Sequence, residues 1–310
     1  MALAFEVIFL AVGFAMLVKG SDWFVDGASA IARHFGIPQM VIALTVVAMG
    51  TSAPEVAVGL SGAIRGNTDL TIGSIVGSNI LNILIILGVS AVAADLDVAK
   101  ATIRMEIPFM LVVTAVLLLQ GDDGVVGQGN GITLLLLFGV YLVYLFRMAK
   151  KGREEAAEAF VDQPLRRCVI MAAIGLVLII WGSSIAVDMA SEVARHFGLS
   201  ERLIGLTIVA MGTSLPELFT SVNAALKGNA DIAIGNIVGS NIFNILFIVG
   251  VSSLIAPVPF GDVFIMDTLV AMAAAVILGG FCVRKEKLVS WHGIVMLVVY
   301  GMYLGWLMMK

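Results

Sequence analysis

Charge is scarce in this chain of 310 residues: 13 % are Asp, Glu, Lys or Arg, while 60 % are hydrophobic. A soluble globular domain carries about 25 % charged residues, so that class is excluded. Cysteine and histidine are scarcer still, at two and three residues. Cys168 and Cys282 lie far apart without metal-type spacing, which leaves neither a disulfide framework nor a thiolate metal site. No His-Glu-x-x-His, Ser–His or Gly-x-Gly-Asp pattern occurs within the apolar runs, so neither an enzyme nor a cofactor is expected. The net charge of −4 says little about partners, and nothing points to nucleic acid.

What is present is apolar sequence in runs of membrane-spanning length, roughly 20 residues each. Ten spans are expected, at 3–31, 38–65, 70–93, 101–119, 131–149, 166–195, 202–226, 232–255, 263–282 and 290–309. The N-terminus opens with Glu6 rather than a basic stretch, so it reads as the first span and not as a cleaved signal. The bilayer is the surrounding medium, and only helices satisfy their own backbone in it. The fold class is an all-α polytopic membrane protein.

The spans repeat. Residues 20–90 align without gaps on 182–252, at an offset of 162 (182 − 20), and about 40 of the 71 aligned positions are identical. Five spans per half is an odd number, so the second copy enters the membrane inverted. The expected units are a first repeat at 1–150, a connecting loop at 151–165 and a second repeat at 166–310. Inverted repeats belong to secondary transporters, with the site at the midplane between the halves. Basic residues cluster between spans five and six (Arg147, Lys150, Lys151, Arg153, Arg166, Arg167) and between nine and ten (Arg284, Lys285, Lys287). Positive-inside counting places the central loop in the cytoplasm and both termini outside.

The second span contains Met49-Gly50-Thr51-Ser52-Ala53-Pro54-Glu55, and the seventh contains Met211-Gly212-Thr213-Ser214-Leu215-Pro216-Glu217. An ionisable residue inside the membrane marks a functional site by default. Proline lacks an N–H, so carbonyls of Ala48, Met49 and Gly50 can turn toward a cavity, as can those of Ala210 to Gly212. With the hydroxyls and carboxylates these make an all-oxygen donor set, suited to Na⁺ and Ca²⁺. A proline-kinked structural helix would explain one copy; two at matching places argue for a site. Spans three and eight carry Gly77-Ser78-Asn79-Ile80-Leu81-Asn82 and Gly239-Ser240-Asn241-Ile242-Phe243-Asn244. Ser78 and Asn82 share one helix face, as do Ser240 and Asn244. Asn79 and Asn241 point elsewhere and are expected to cap or bridge helices rather than bind the ion. Asp69 and Asp231 begin spans and suit helix capping, and Arg33-His34 and Arg195-His196 suit interfacial anchoring. For Asp26 and Asp188, matched across spans one and six, exposure to water, pairing with a neighbour and a part in gating all stay open.

These paired motifs resemble the sodium/calcium exchanger family, within the calcium/cation antiporter superfamily, in its compact prokaryotic form. The resemblance covers nearly the whole chain. It implies that Glu55 and Glu217 are the central ligands, that Thr51, Ser52, Thr213 and Ser214 line the site with carbonyls of Ala48 and Ala210, that Ser78 and Ser240 serve flanking sodium sites, and that Asn82 and Asn244 serve the middle one. It implies a core of spans two, three, seven and eight, with spans one and six sliding across it. Some relatives, including potassium-dependent ones, carry aspartate where this chain has Asn244, so no potassium site is expected. The expected activity is electrogenic Na⁺/Ca²⁺ antiport across the inner membrane by a functional monomer. Ca²⁺/H⁺ exchange on the same scaffold is the alternative, and a channel is disfavoured by the inverted repeat.

Overall fold

The computed structural model describes residues 2–66, 68–155, 164–198, 208 and 210–309. Among these, eight helices are long and apolar enough to cross a bilayer, and a bent pair makes a ninth. The remaining span is the seventh, seen at 208 and from Ala210 onward; the rest of its first part, from 202, lies outside the described residues. Most of the expected connecting loop also lies outside them, at 156–163. The fifth span exceeds its expected 131–149, because Gln128–Glu155 continues as helix through the basic stretch.

Two spans form the centre. The third runs as Thr68–Leu81, a wide π turn at Asn82–Leu87, and Gly88–Ala93. The eighth repeats this as Ala230–Phe243, Asn244–Val249 and Gly250–Ile255. Their most apolar windows are 78 % and 94 % buried, against 17 % for the fifth and tenth spans, so lipid meets the latter and protein surrounds the former. The second span is broken, Gln39–Thr51 meeting Ala53–Ile64 at 52°. The seventh is broken likewise, between Ala210–Gly212 and Leu215–Leu226.

The first span, Ala2–Phe35, lies antiparallel along the sixth, Leu165–His196. Glycines at 13, 20 and 27 oppose Gly182, Gly175 and Ala172. A β-carbon added at Gly20 would sit 2.8 Å from the Gly175 carbonyl oxygen, and one at Gly175 2.6 Å from the Phe24 nitrogen. The two backbones therefore touch along a smooth stripe of small residues. The outer spans are the fourth (Thr102–Gln120), ninth (Asp262–Lys285) and tenth (Ser290–Met308).

Four two-residue strands reveal the inversion. β1 (Leu96–Asp97) pairs with β4 (Lys287–Leu288), and β2 (Val125–Val126) with β3 (Val258–Pro259). At the repeat offset of 162, β3 is the counterpart of β1 and β4 the counterpart of β2. Each strand thus pairs with the counterpart of the other, which happens only if equivalent loops lie at opposite ends of the molecule. Lys287 pairs with Asp97 at 2.9 Å and Lys100 with Glu286 at 3.6 Å where β1 meets β4.

Candidate functional site

The two breaks share one local cause. Ser52 (φ −78°, ψ 11°) ends one helix and starts the next, with Pro54 in the first turn of the second. Proline suits that position because the N–H it lacks has no helical acceptor there. Ser214 (φ −89°, ψ 4°) and Pro216 repeat the arrangement. The Ala48 carbonyl keeps a helical bond from the Ser52 N–H at 3.1 Å and also accepts the Ser240 hydroxyl at 3.3 Å. It faces the opposite half without leaving its own helix. Ala210 opens the matching short helix; its side chain lies outside the described residues.

At the breaks the halves interlock. The Ser52 hydroxyl donates to Glu217 Oε1 at 2.9 Å and stands 3.0 Å from the Ser240 hydroxyl. The Ser214 hydroxyl stands 3.4 Å from Glu55 Oε1 and 3.3 Å from the Ser78 hydroxyl, and Thr213 also bonds Glu55. Each carboxylate is therefore held by a serine of the other repeat. Both are buried, at 1 % and 0 % exposure, and close enough to repel one another. The Oε1 atoms are engaged; Oε2 of Glu55 and Oε2 of Glu217 have no hydrogen-bond partner.

The asparagines complete the set. Asn82 Nδ2 donates to Asn241 Oδ1 and Asn244 Nδ2 to Asn79 Oδ1, both at 3.0 Å. Asn79 and Asn241 in turn donate to each other's backbone carbonyls at 3.2 and 3.1 Å. They bridge spans three and eight across the pseudo-two-fold axis, as their helix face implies. With both amide nitrogens committed, Oδ1 of Asn82 and Oδ1 of Asn244 are left buried and unpartnered. Both asparagines begin the π turns, a distortion frequent at functional positions. An unpaired buried acceptor costs about 1–3 kcal/mol. Four such oxygens come two from each repeat, on Glu55, Asn82, Glu217 and Asn244.

Thr51 is buried: its hydroxyl lies 3.1 Å from the Val47 carbonyl and 3.0 Å from Asn236 Oδ1, and it also bonds Glu217, as Thr213 bonds Glu55. Sequence reasoning missed Asn236, which also donates to Ser221 at 2.9 Å. Its signal was available, since Asn236, Ser240 and Asn244 recur every four residues on one helix face. Also missed was Ser183 on the sixth span, whose hydroxyl donates to the Gly212 carbonyl at 2.8 Å. Asp26 pairs with a neighbour: Lys227, at the end of the seventh span, reaches Asp26 at 2.6 Å and Asp22 at 2.5 Å. Burial works against the Lys227 charge, but the two carboxylates outweigh it and hold its pKa above the usual lysine value. His196 stands 3.0 Å from Glu6, joining the sixth span to the first. Asp231 lies in the first turn of its helix, and the Asp69 side chain is outside the described residues.

An inverted helical repeat closed around a buried, doubly acidic, oxygen-lined centre is the architecture of a membrane cation antiporter. The chain belongs to the family described as "Sodium/calcium exchanger protein", which it matches over residues 5–147 and 168–309. The inner membrane protein YrbG of Escherichia coli is 36 % identical, across 97 % of this chain and 95 % of YrbG. The sodium/calcium exchanger MaX1 of Methanosarcina acetivorans is 29 % identical, across 96 % and 97 %. Among solved structures, the sodium–calcium exchanger NCX_Mj, from a crystal soaked with Na⁺ and Sr²⁺, superposes with a TM-score of 0.86 at 32 % identity, covering 98 % of this chain and 99 % of that one.

Proposed function

We propose that the chain exchanges Na⁺ for Ca²⁺ across the inner membrane, electrogenically and without K⁺. The observation that carries this is the set of four unpartnered oxygens on Glu55, Glu217, Asn82 and Asn244. Two carboxylates are balanced by one Ca²⁺ or by two Na⁺, so either load leaves a neutral core that can move between access states without a large Born penalty. Ser78 and Ser240 flank this core on opposite sides, each beside the break of the other half, and offer hydroxyls to further Na⁺. A third Na⁺ makes the sodium-loaded state charged and the Ca²⁺-loaded state neutral, so transport responds to voltage, by about 2.3 kcal/mol per charge per 100 mV. Asparagine at 244 gives K⁺ no extra carboxylate.

The repeats are not in equivalent states, which supports alternating access. Ser183 of the sixth span holds the Gly212 carbonyl, while its counterpart Ser21 donates to the Val18 carbonyl of its own helix and accepts from Asn223. Spans one and six, packed through glycine, slide together across the core and exchange such contacts. The basic stretch after the fifth span supports a cytoplasmic central loop with both termini outside, and YrbG's name supports the inner membrane. The interlocked halves form a complete site within one chain, which supports a functional monomer.

The test is Ca²⁺ uptake into proteoliposomes with an imposed Na⁺ gradient, K⁺ replaced by choline and the potential clamped at two values. Uptake that follows the Na⁺ gradient and changes with potential is the expected result. Uptake that requires K⁺ or ignores the potential refutes the reading of Asn244 and the site charge. Uptake driven by a pH gradient alone assigns Ca²⁺/H⁺ exchange instead.

A further inference from the structure

One buried amide touches the cation site from a single half. Asn236, on the eighth span, is 0 % exposed. It lies one helical turn before Ser240 and two before Asn244, on the same face. Its Oδ1 accepts the Thr51 hydroxyl at 3.0 Å. Its Nδ2 donates to the Ser221 hydroxyl at 2.9 Å and stands 3.5 Å from the Glu217 backbone carbonyl. That carbonyl can only accept, so the amide nitrogen must face the seventh span. The amide oxygen is thereby turned to Thr51, where it too can only accept.

Thr51 has one hydroxyl proton and several acceptors for it. The Val47 carbonyl lies at 3.1 Å and the Ala48 carbonyl at 3.3 Å, and the Glu217 carboxylate is also bonded. The Ser52 and Ser240 hydroxyls stand beside the same carboxylate. A hydroxyl ligates a cation through its lone pairs, so its proton must point away from the ion. A cation shared by Thr51 and Glu217 forces the proton off the Glu217 side, and Asn236 Oδ1 is placed to receive it. The other half has no such amide. Thr213 bonds Glu55 as Thr51 bonds Glu217, but the counterparts of Asn236 and Ser221 are Ser74 and Gly59. Ser74 is half-buried and makes no side-chain hydrogen bond among the described residues, and Gly59 has no side chain to receive one.

We propose that Asn236 is a positioning residue for Na⁺. It holds Thr51 as a ligand on one side of the core, and the opposite side, at Thr213, is less firmly organised. The two flanking Na⁺ positions are therefore unequal, although their ligands match; this rests on the Na⁺/Ca²⁺ exchange proposed above. Ca²⁺ depends instead on the four unpartnered oxygens of Glu55, Glu217, Asn82 and Asn244, none of which Asn236 touches. Residues that orient a metal ligand from behind are worth about 10- to 100-fold in affinity, and here that loss should fall on Na⁺.

The experiment measures binding of radioactive Ca²⁺ to the purified full chain in choline buffer, and its displacement by Na⁺. In Asn236→Ser, which carries the residue of the equivalent position, displacement should need about tenfold more Na⁺, with Ca²⁺ affinity in choline changed less than about twofold. Thr51→Val should weaken Na⁺ similarly. Adding Asn236→Ser to Thr51→Val should then cost less than about twofold more, because a residue acting through one hydroxyl is not additive with its loss. Ser221→Ala removes one partner of the amide and leaves Thr51 in place. It should shift displacement the same way by a smaller factor, and it carries the test if Asn236→Ser does not fold by circular dichroism. Equal losses for Na⁺ and Ca²⁺ in a folded variant, or additive losses in the double variant, make Asn236 a packing residue and overturn the proposal. Na⁺ that fails to displace Ca²⁺ from the unmodified chain overturns the exchange reading and the proposal with it. Displacement from the unmodified chain and equally from the variants overturns the proposal alone.

Discussion

Replacing Glu217 by Gln isolates charge from shape. The Ser52 hydroxyl donates to Glu217 Oε1 at 2.9 Å, and glutamine keeps an oxygen to receive it. The side chain is fully buried and repels Glu55, so the ion-free protein loses a strain and should unfold at the same temperature or higher. Ca²⁺ binding is where the loss falls. Leaving a buried charge without its partner costs about 3–5 kcal/mol. At about 1.4 kcal/mol per decade, that is roughly two to three and a half orders of magnitude in affinity. The assay is thermal unfolding with and without Ca²⁺, at a concentration about a hundredfold above the dissociation constant of the unmodified chain. There the ion stabilises by about 2.7 kcal/mol, and in Glu217→Gln by less than about 0.5 kcal/mol. Glu55→Gln should behave alike, because the two sites are built from the same parts. Ca²⁺ stabilisation preserved in both variants, with exchange intact, would refute the assignment of these carboxylates.

Protons compete with cations for the same carboxylate oxygens, so apparent Ca²⁺ affinity should fall as pH drops from neutral to about 5, within the range carboxylates reach; a flat binding curve counts against carboxylate ligation. Gly175→Leu places bulk where a β-carbon alone would stand 2.6 Å from the Phe24 nitrogen, so it should slow exchange at least tenfold while Ca²⁺ binding persists, and exchange at the original rate would show that the joint movement of spans one and six does not depend on their close packing. Lys227→Ala removes two partly exposed ion pairs, each worth about 0.2–1 kcal/mol, and should shift the balance of access states severalfold, read as a changed ratio of apparent Ca²⁺ affinities on the two membrane faces; an unchanged ratio means that the Asp22–Lys227–Asp26 cluster is structural.

The architecture could be read from the chain because its signals are local and duplicated. Apolar runs set the spans, and a gapless repeat of odd span number set the inversion, which the crossed pairing of β1 with β4 and β2 with β3 displays. The motif residues are brought to one place, since they sit at a break, at the start of a π turn or in the helical turn just before one. What escaped was contact between distant residues. Nothing local says that Ser183 reaches Gly212, or that Asp26 meets Lys227 rather than water. Asn236 escaped for another reason: its counterpart is Ser74, so a search for matched pairs passes over a residue present in one half only.

That last omission points to how the two halves divide their work. Where both repeats need the same chemistry, at Glu55 and Glu217 or Asn82 and Asn244, the residues are the same and each leaves one oxygen unpartnered. Where they differ, the difference has a structural consequence in one half alone. Asn236 ties Thr51 to Ser221, and the corresponding pair, Ser74 and Gly59, has no amide to do so. Asp22 has Ser184 as its counterpart, so Lys227 meets two acids, whereas the sequence offers its counterpart Arg65 only one matching acid, Asp188. A perfectly symmetric chain would place its two access states at equal energy. On the proposed alternating-access reading, charges that sit in one repeat and not the other should favour one state over its mirror, while the proposed cation ligands stay matched between the halves.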